Sequence, residues 1–148
     1  MTVEVLGIDH VYLAVRDLEV SRRYYDVVMR ILGFRSGRFE IGGEPHASYY
    51  NRHFGFVLRP ARSAQPHDPY ASGLHHFCFR VETADDVRAV ADALRREGLE
   101  VTEPKLYPQY ADDYFAAFFD DPDGIRLEVT NYRSERRERH DHWTPPEA

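Results

Sequence analysis

His10, His76 and Glu128 are the residues whose types and settings point most directly to chemistry. Two imidazoles and one carboxylate form a set that holds a divalent ion and leaves coordination positions open for substrate, water or O₂. Each sits in a stretch where apolar residues take every second place, the pattern of a half-buried strand. In His10-Val-Tyr-Leu-Ala-Val15, the residues Val11, Leu13 and Val15 share one face, and His10, Tyr12 and Ala14 share the other. In His76-Phe-Cys-Phe-Arg-Val81, the same parity puts His76, Cys78 and Arg80 opposite Phe77, Phe79 and Val81, and places the neighbouring His75 on the apolar side. Near the end, Arg126, Glu128 and Thr130 alternate with Ile125, Leu127 and Val129. A carboxylate on so apolar a strand is costly to bury unless it is paired or metal-bound. Taken singly, a strand histidine is more often a hydrogen-bonded core residue than a ligand, and Glu128 could pair with Arg126, Arg80 or Arg59. The joint pattern carries the metal reading, with all three side chains on the concave side of a curved sheet.

The elements that must position these residues occur twice. Gly7-Ile-Asp-His10-Val-Tyr-Leu-Ala-Val15 and Gly73-Leu-His-His76-Phe-Cys-Phe-Arg-Val81 repeat Gly, His and the closing Val at one constant spacing. A helix follows each strand. Asp17 caps the first, Val20, Tyr24, Val27, Val28, Ile31 and Leu32 recur at helical spacing, and Gly33 closes it. Thr83 caps the second, with Asp86 three residues on close to a capping-box pattern; Val87, Val90, Ala91 and Leu94 follow, and Gly98 closes it. Strand-like tracts come next, at 34–41, 47–51 and 54–59 in the first unit and at 99–106, 114–120 and 125–130 in the second. Gly42-Gly43 and Asp121-Pro-Asp-Gly124 supply turns. The reading is an α+β chain of two βαβββ modules, 1–60 and 73–131, joined by a Pro-containing linker at 61–72. Residues 132–148 form a charged, Pro-containing tail, expected to be loosely ordered or draped over a neighbour.

Bulk properties narrow the function. A net charge of −6 with no basic stripe argues against nucleic acid and anionic membrane as partners. The single cysteine, Cys78, excludes an intramolecular disulfide. No signal-peptide pattern or membrane-spanning stretch is read, so a cytoplasmic location is expected. Aromatic residues make up 14% of the chain, enough to line an apolar pocket as well as fill a core.

These residues resemble the vicinal oxygen chelate superfamily, which includes glyoxalase I, bleomycin and fosfomycin resistance proteins and extradiol dioxygenases. The resemblance spans about residues 5–132 and rests on IDHVYLAV, GLHHFCFRV and YFAAFFDDPDGIRLEVTNY. It implies a cup-shaped mixed sheet with helices on its outer face and a divalent metal (Fe, Mn, Zn, Ni or Co) held inside by His10, His76 and Glu128. It further implies a homodimer, whose site lies within one chain or between module one of one chain and module two of the other. Glyoxalase I carries a fourth ligand, a carboxylate on the last strand of its first module. Here either Arg59 or Val57 falls at that position, and His53 has the parity to substitute.

The expected function is a small metal-dependent enzyme of the glyoxalase or dioxygenase type, acting on a small or aromatic substrate chelated through vicinal oxygens. The alternative is a resistance-type protein that sequesters an aromatic natural product. Tyr114, His53 and Arg59 are candidate acid–base or anchoring groups, and Tyr12, Tyr49, Phe118 and Arg80 are candidate substrate contacts.

Overall fold

The structure is a computed structural model, and residues 3–146 are described. The first module runs β1 (His10–Val15), α1 (Leu18–Ile31), β2 (Arg35–Ile41), β3 (Glu44–Tyr50) and β4 (Gly55–Pro60). The second runs β5 (His76–Val81), α2 (Ala84–Arg96), β6 (Lys105–Leu106), β7 (Phe115–Asp120) and β8 (Arg126–Asn131), and a terminal helix α3 (Ser134–Asp141) follows. The helix caps form as the sequence requires. Asp17 accepts the Val20 N–H at 3.0 Å, and Thr83 and Asp86 close a reciprocal capping box. Gly42 and Gly43 both have positive φ, 58° and 79°, which lets a two-residue turn pair Ile41 with Glu44. That pairing starts β3 at Glu44, earlier than the alternation at Ala47 suggests.

The modules make two four-stranded mixed sheets, ordered β1-β4-β3-β2 and β5-β8-β7-β6. In each, the first strand runs parallel to the last strand of its module. Tyr12 pairs with Val57, as Cys78 pairs with Glu128. The module-one counterpart of Glu128 is therefore Val57, not Arg59.

The helix-covered faces of both sheets meet in one core. Phe34, Phe54 and Phe56 of the first module pack on Phe77 and Phe79 of the second, with ring centroids 5.5 Å apart for Phe56–Phe77 and 6.2 Å for Phe34–Phe79. Polar bonds from the Asp121–Gly124 turn add to this seam. The Tyr25 hydroxyl donates to Asp121 at 2.9 Å inside the core, and the Arg16 N–H donates to Asp123 at 2.9 Å. With the apolar faces spent on each other, the faces bearing His10 and Glu128 turn away from the shared core. β1 and β5 end as free edges of separate sheets.

Two expectations are corrected. The tract at 99–106 is a strand only at Lys105–Leu106. Thr102 instead ties to Phe118 through its N–H to the carbonyl and through its hydroxyl from the N–H, both 2.9 Å, and Pro104 has no N–H to offer a ladder. The tail is also not loose over its first part. Its 134–141 segment is helical, anchored by the Ser134 N–H on Asp113 (2.8 Å) and by Arg137 on Glu82 (2.5 Å).

Candidate metal centre

Glu128 is 2% exposed, in the middle of β8, yet no Lys or Arg among the described residues lies within ion-pair distance of it. Its carboxylate accepts a hydrogen bond from the Tyr114 hydroxyl and faces His76 Nε2 at 3.5 Å. A buried carboxylate with so little positive compensation is costly unless a cation joins it. The half-exposed His76 has its Nδ1 against His75 Nδ1 at 2.8 Å, which leaves Nε2 toward Glu128. His75 is itself exposed, just before β5, rather than in the core.

His10 repeats this arrangement on the other sheet. Its Nδ1 meets Asp9 Oδ2 at 2.6 Å and its Nε2 is left free. A carboxylate on one ring nitrogen fixes the tautomer and orientation of a histidine that binds metal through the other. Asp9 was not singled out in the sequence, although the adjacent Asp-His pair is its signal. His10 does not join His76 and Glu128 within the chain. Among the described residues, no group of three His, Cys, Asp or Glu side chains is close enough to hold one ion.

The remaining candidates divide by location. Phe118 pairs directly with Glu128, and Tyr107 packs edge-on against it at 5.4 Å. Arg80 lies over the Tyr132 ring at 4.1 Å. Tyr12 shares the His10 face and is half exposed, edge-on to His46 at 6.0 Å. Arg59 also shares that face but is committed to Glu44, which binds Arg62 as well. His53 is exposed in the turn before β4, where with Arg35, Tyr50 and Arg52 it lines an open cleft of about 430 Å³ on module one. Tyr49 is not in the cup. It is 1% exposed beneath α1 and donates to Asp26 at 2.8 Å. The register explains this: Tyr49 pairs with the core residue Phe56, so Ser48 and Tyr50 take the opposite face.

Burial, then the bond to Glu128, raises the Tyr114 phenol well above its usual range, so it serves as a donor to that carboxylate rather than as a ready base. Burial likewise raises the Cys78 thiol, with the Glu128 charge adding to the effect, which keeps it protonated and unreactive.

The fold belongs to a known class. The Glyoxalase/Bleomycin resistance protein/Dioxygenase superfamily model matches residues 7–129, and the chain belongs to that superfamily. It is 30% identical to the uncharacterized protein YaeR of Escherichia coli K12 over 82% of this chain and 93% of that one. It is 28% identical to the uncharacterized protein YqjT of Bacillus subtilis 168 over 81% of this chain and 94% of that one. A glyoxylase/bleomycin resistance protein/dioxygenase domain from Frankia sp. EAN1pec superposes with a TM-score of 0.71 at 26% identity, covering 88% of this chain and all of that one. No helix among the described residues is long and apolar enough to cross a membrane.

Proposed function

We propose that the protein is a homodimeric, metal-dependent enzyme of the vicinal oxygen chelate type. His10 of one copy would complete a divalent-metal site with His76 and Glu128 of the other. The observation that carries this reading is Glu128, buried with no Lys or Arg partner among the described residues and facing His76 Nε2.

The donor set fits a borderline or hard divalent cation, with two imidazole nitrogens and one carboxylate oxygen. Such an ion, when bound, supplies Lewis-acid polarisation of substrate oxygens. The chain's own groups do the rest. Tyr114 fixes one oxygen of Glu128, Asp9 and His75 orient the two imidazoles, and Phe118 and Tyr107 offer apolar surface beside the carboxylate for a small or aromatic substrate.

Assembly from two copies is supported by the free edges. An unpaired edge strand needs a cover, and joining β1 of one copy to β5 of another would extend one sheet into the other. The segment leading into β1 exposes Val5, Leu6 and Ile8 at 83%, 95% and 55%, apolar surface suited to an interface. The alternative, sequestration of an aromatic natural product, draws on the same Phe118–Tyr107–Tyr110 surface.

Elemental analysis of protein purified without chelator distinguishes the two. Near-stoichiometric divalent metal in the wild type, lost in His76→Ala, is expected. Metal-free wild-type protein that still binds aromatic ligands would favour sequestration.

A further inference from the structure

Arg133 lies at the start of the charged run in the segment read from sequence as tail, yet it is only 8% exposed. Its guanidinium lies over the Tyr114 ring at 4.4 Å, and the hydroxyl of that same tyrosine donates to Glu128. Among the described residues it makes no ion pair and no side-chain hydrogen bond, and its Nε is buried with no acceptor at all. Arg137, four residues on, behaves differently. It pairs with Glu82 and with two backbone carbonyls. The local carboxylate Asp113 feels the Arg133 charge, but it accepts the Ser134 N–H and makes no hydrogen bond or ion pair with Arg133 among the described residues.

A guanidinium cannot shed its charge, and burying its Nε without an acceptor is costly. The face of Tyr114 offsets part of that cost, but an aromatic ring offers no acceptor in the guanidinium plane. The planar fork of donors matches a carboxylate or a phosphate-like group. Glu128 does not fill the role, because Tyr114 stands between them and binds it. On the metal-centre reading, that carboxylate is further engaged by the ion.

We propose that Arg133 is the anchor for an anionic oxyacid group, a carboxylate or phosphonate, on the substrate whose vicinal oxygens face Glu128. This rests on the site proposed above and narrows its substrate class to small anions. It also gives α3 a purpose: the anchoring of Ser134 on Asp113 and of Arg137 on Glu82 holds the start of that helix, and Arg133 with it, against the second module.

The test uses the wild-type protein stripped of metal, with benzoate and phenylphosphonate as probes, benzamide as the neutral counterpart, and binding followed by calorimetry. Wild type is expected to bind the two anions at least tenfold more tightly than benzamide. Arg133→Met should lose that tenfold while its benzamide and Mn²⁺ affinities stay within about twofold, and Arg133→Lys should recover part of it. Equal binding of anion and amide by wild type would overturn the proposal whether or not the variants fold. So would unchanged anion binding by a folded Arg133→Met protein. Anion binding that depends on Arg133 in a protein that takes up no divalent ion would uphold the anchor and sink the metal reading alone.

Discussion

Asp121→Ala is expected to cost about 3–5 kcal/mol of folding stability, from the two or three buried donors it strands, each worth about 1–3 kcal/mol. One carboxylate oxygen accepts the Tyr25 hydroxyl at 2.9 Å, and the other accepts the N–H groups of Asp123 and Ile125, both at 2.8 Å. Tyr25 is fully buried, so its hydroxyl has no water to turn to. Tyr25→Phe removes the donor along with its need and should cost only about 1 kcal/mol. The contrast matters because this bond ties the second module's turn to the first module's helix. Loosening it loosens the seam that keeps the two candidate half-sites facing outward.

Asp121 also sets a pH dependence. Burial lifts its carboxyl above the usual 3.8, despite the hydrogen bonds that act the other way. The native state therefore holds this proton more tightly than the unfolded chain does. Its contribution to stability is complete below pH 3.8 and declines as pH rises through the raised value. Asp121→Asn should flatten that decline while keeping the backbone acceptor. Denaturant unfolding at a series of acidic pH values checks both the size and the sign.

The second large effect concerns the proposed metal ligands. His10→Ala and Glu128→Gln should each lower divalent-metal affinity by more than about 100-fold, beyond the roughly 10–100-fold typical of an outer partner. Glu128→Gln should leave the apo protein as stable or more so, since it removes a buried charge that has no Lys or Arg partner among the described residues. His10 is half exposed at a free edge, so its loss should hardly change folding at all. Metal titration beside thermal unfolding reads the two quantities separately. A drop in affinity that tracked a drop in stability would point to a structural role instead.

Much of this was legible in the sequence. Strand alternation placed His10, Tyr12, His76, Cys78 and Glu128 on the faces they occupy, because each strand is apolar on one side only. The caps at Asp17 and Thr83 were readable because capping is local chemistry. Tyr49 was misplaced because it lies in Ala47-Ser-Tyr-Tyr50, where tyrosines stand on both faces and pattern cannot choose; the pairing of Tyr49 with Phe56 decides it. The choice between Arg59 and Val57 was open for the same reason, since a two-residue slip keeps parity and only the β1–β4 register resolves it. Arg133 was hidden by its neighbours: it begins a run of mixed charges that reads as solvated, and its burial depends on where Tyr114 lies. How the two modules face each other was beyond local pattern, because either face of a sheet edge can be reached through a linker such as 61–72.

The measurement closest to the central claim mixes two inactive proteins. His10→Ala and Glu128→Gln homodimers, each unable to bind metal tightly, are unfolded together and refolded as a mixture. A site built across two copies leaves one of the two sites in each heterodimer with all three ligands, so random pairing should restore about a quarter of the wild-type metal stoichiometry. A site built within one chain can regain none. Restored tight binding near that fraction is the expected result; a mixture no better than its two parents, when wild-type protein refolded the same way forms dimers that bind metal, would contradict the shared centre.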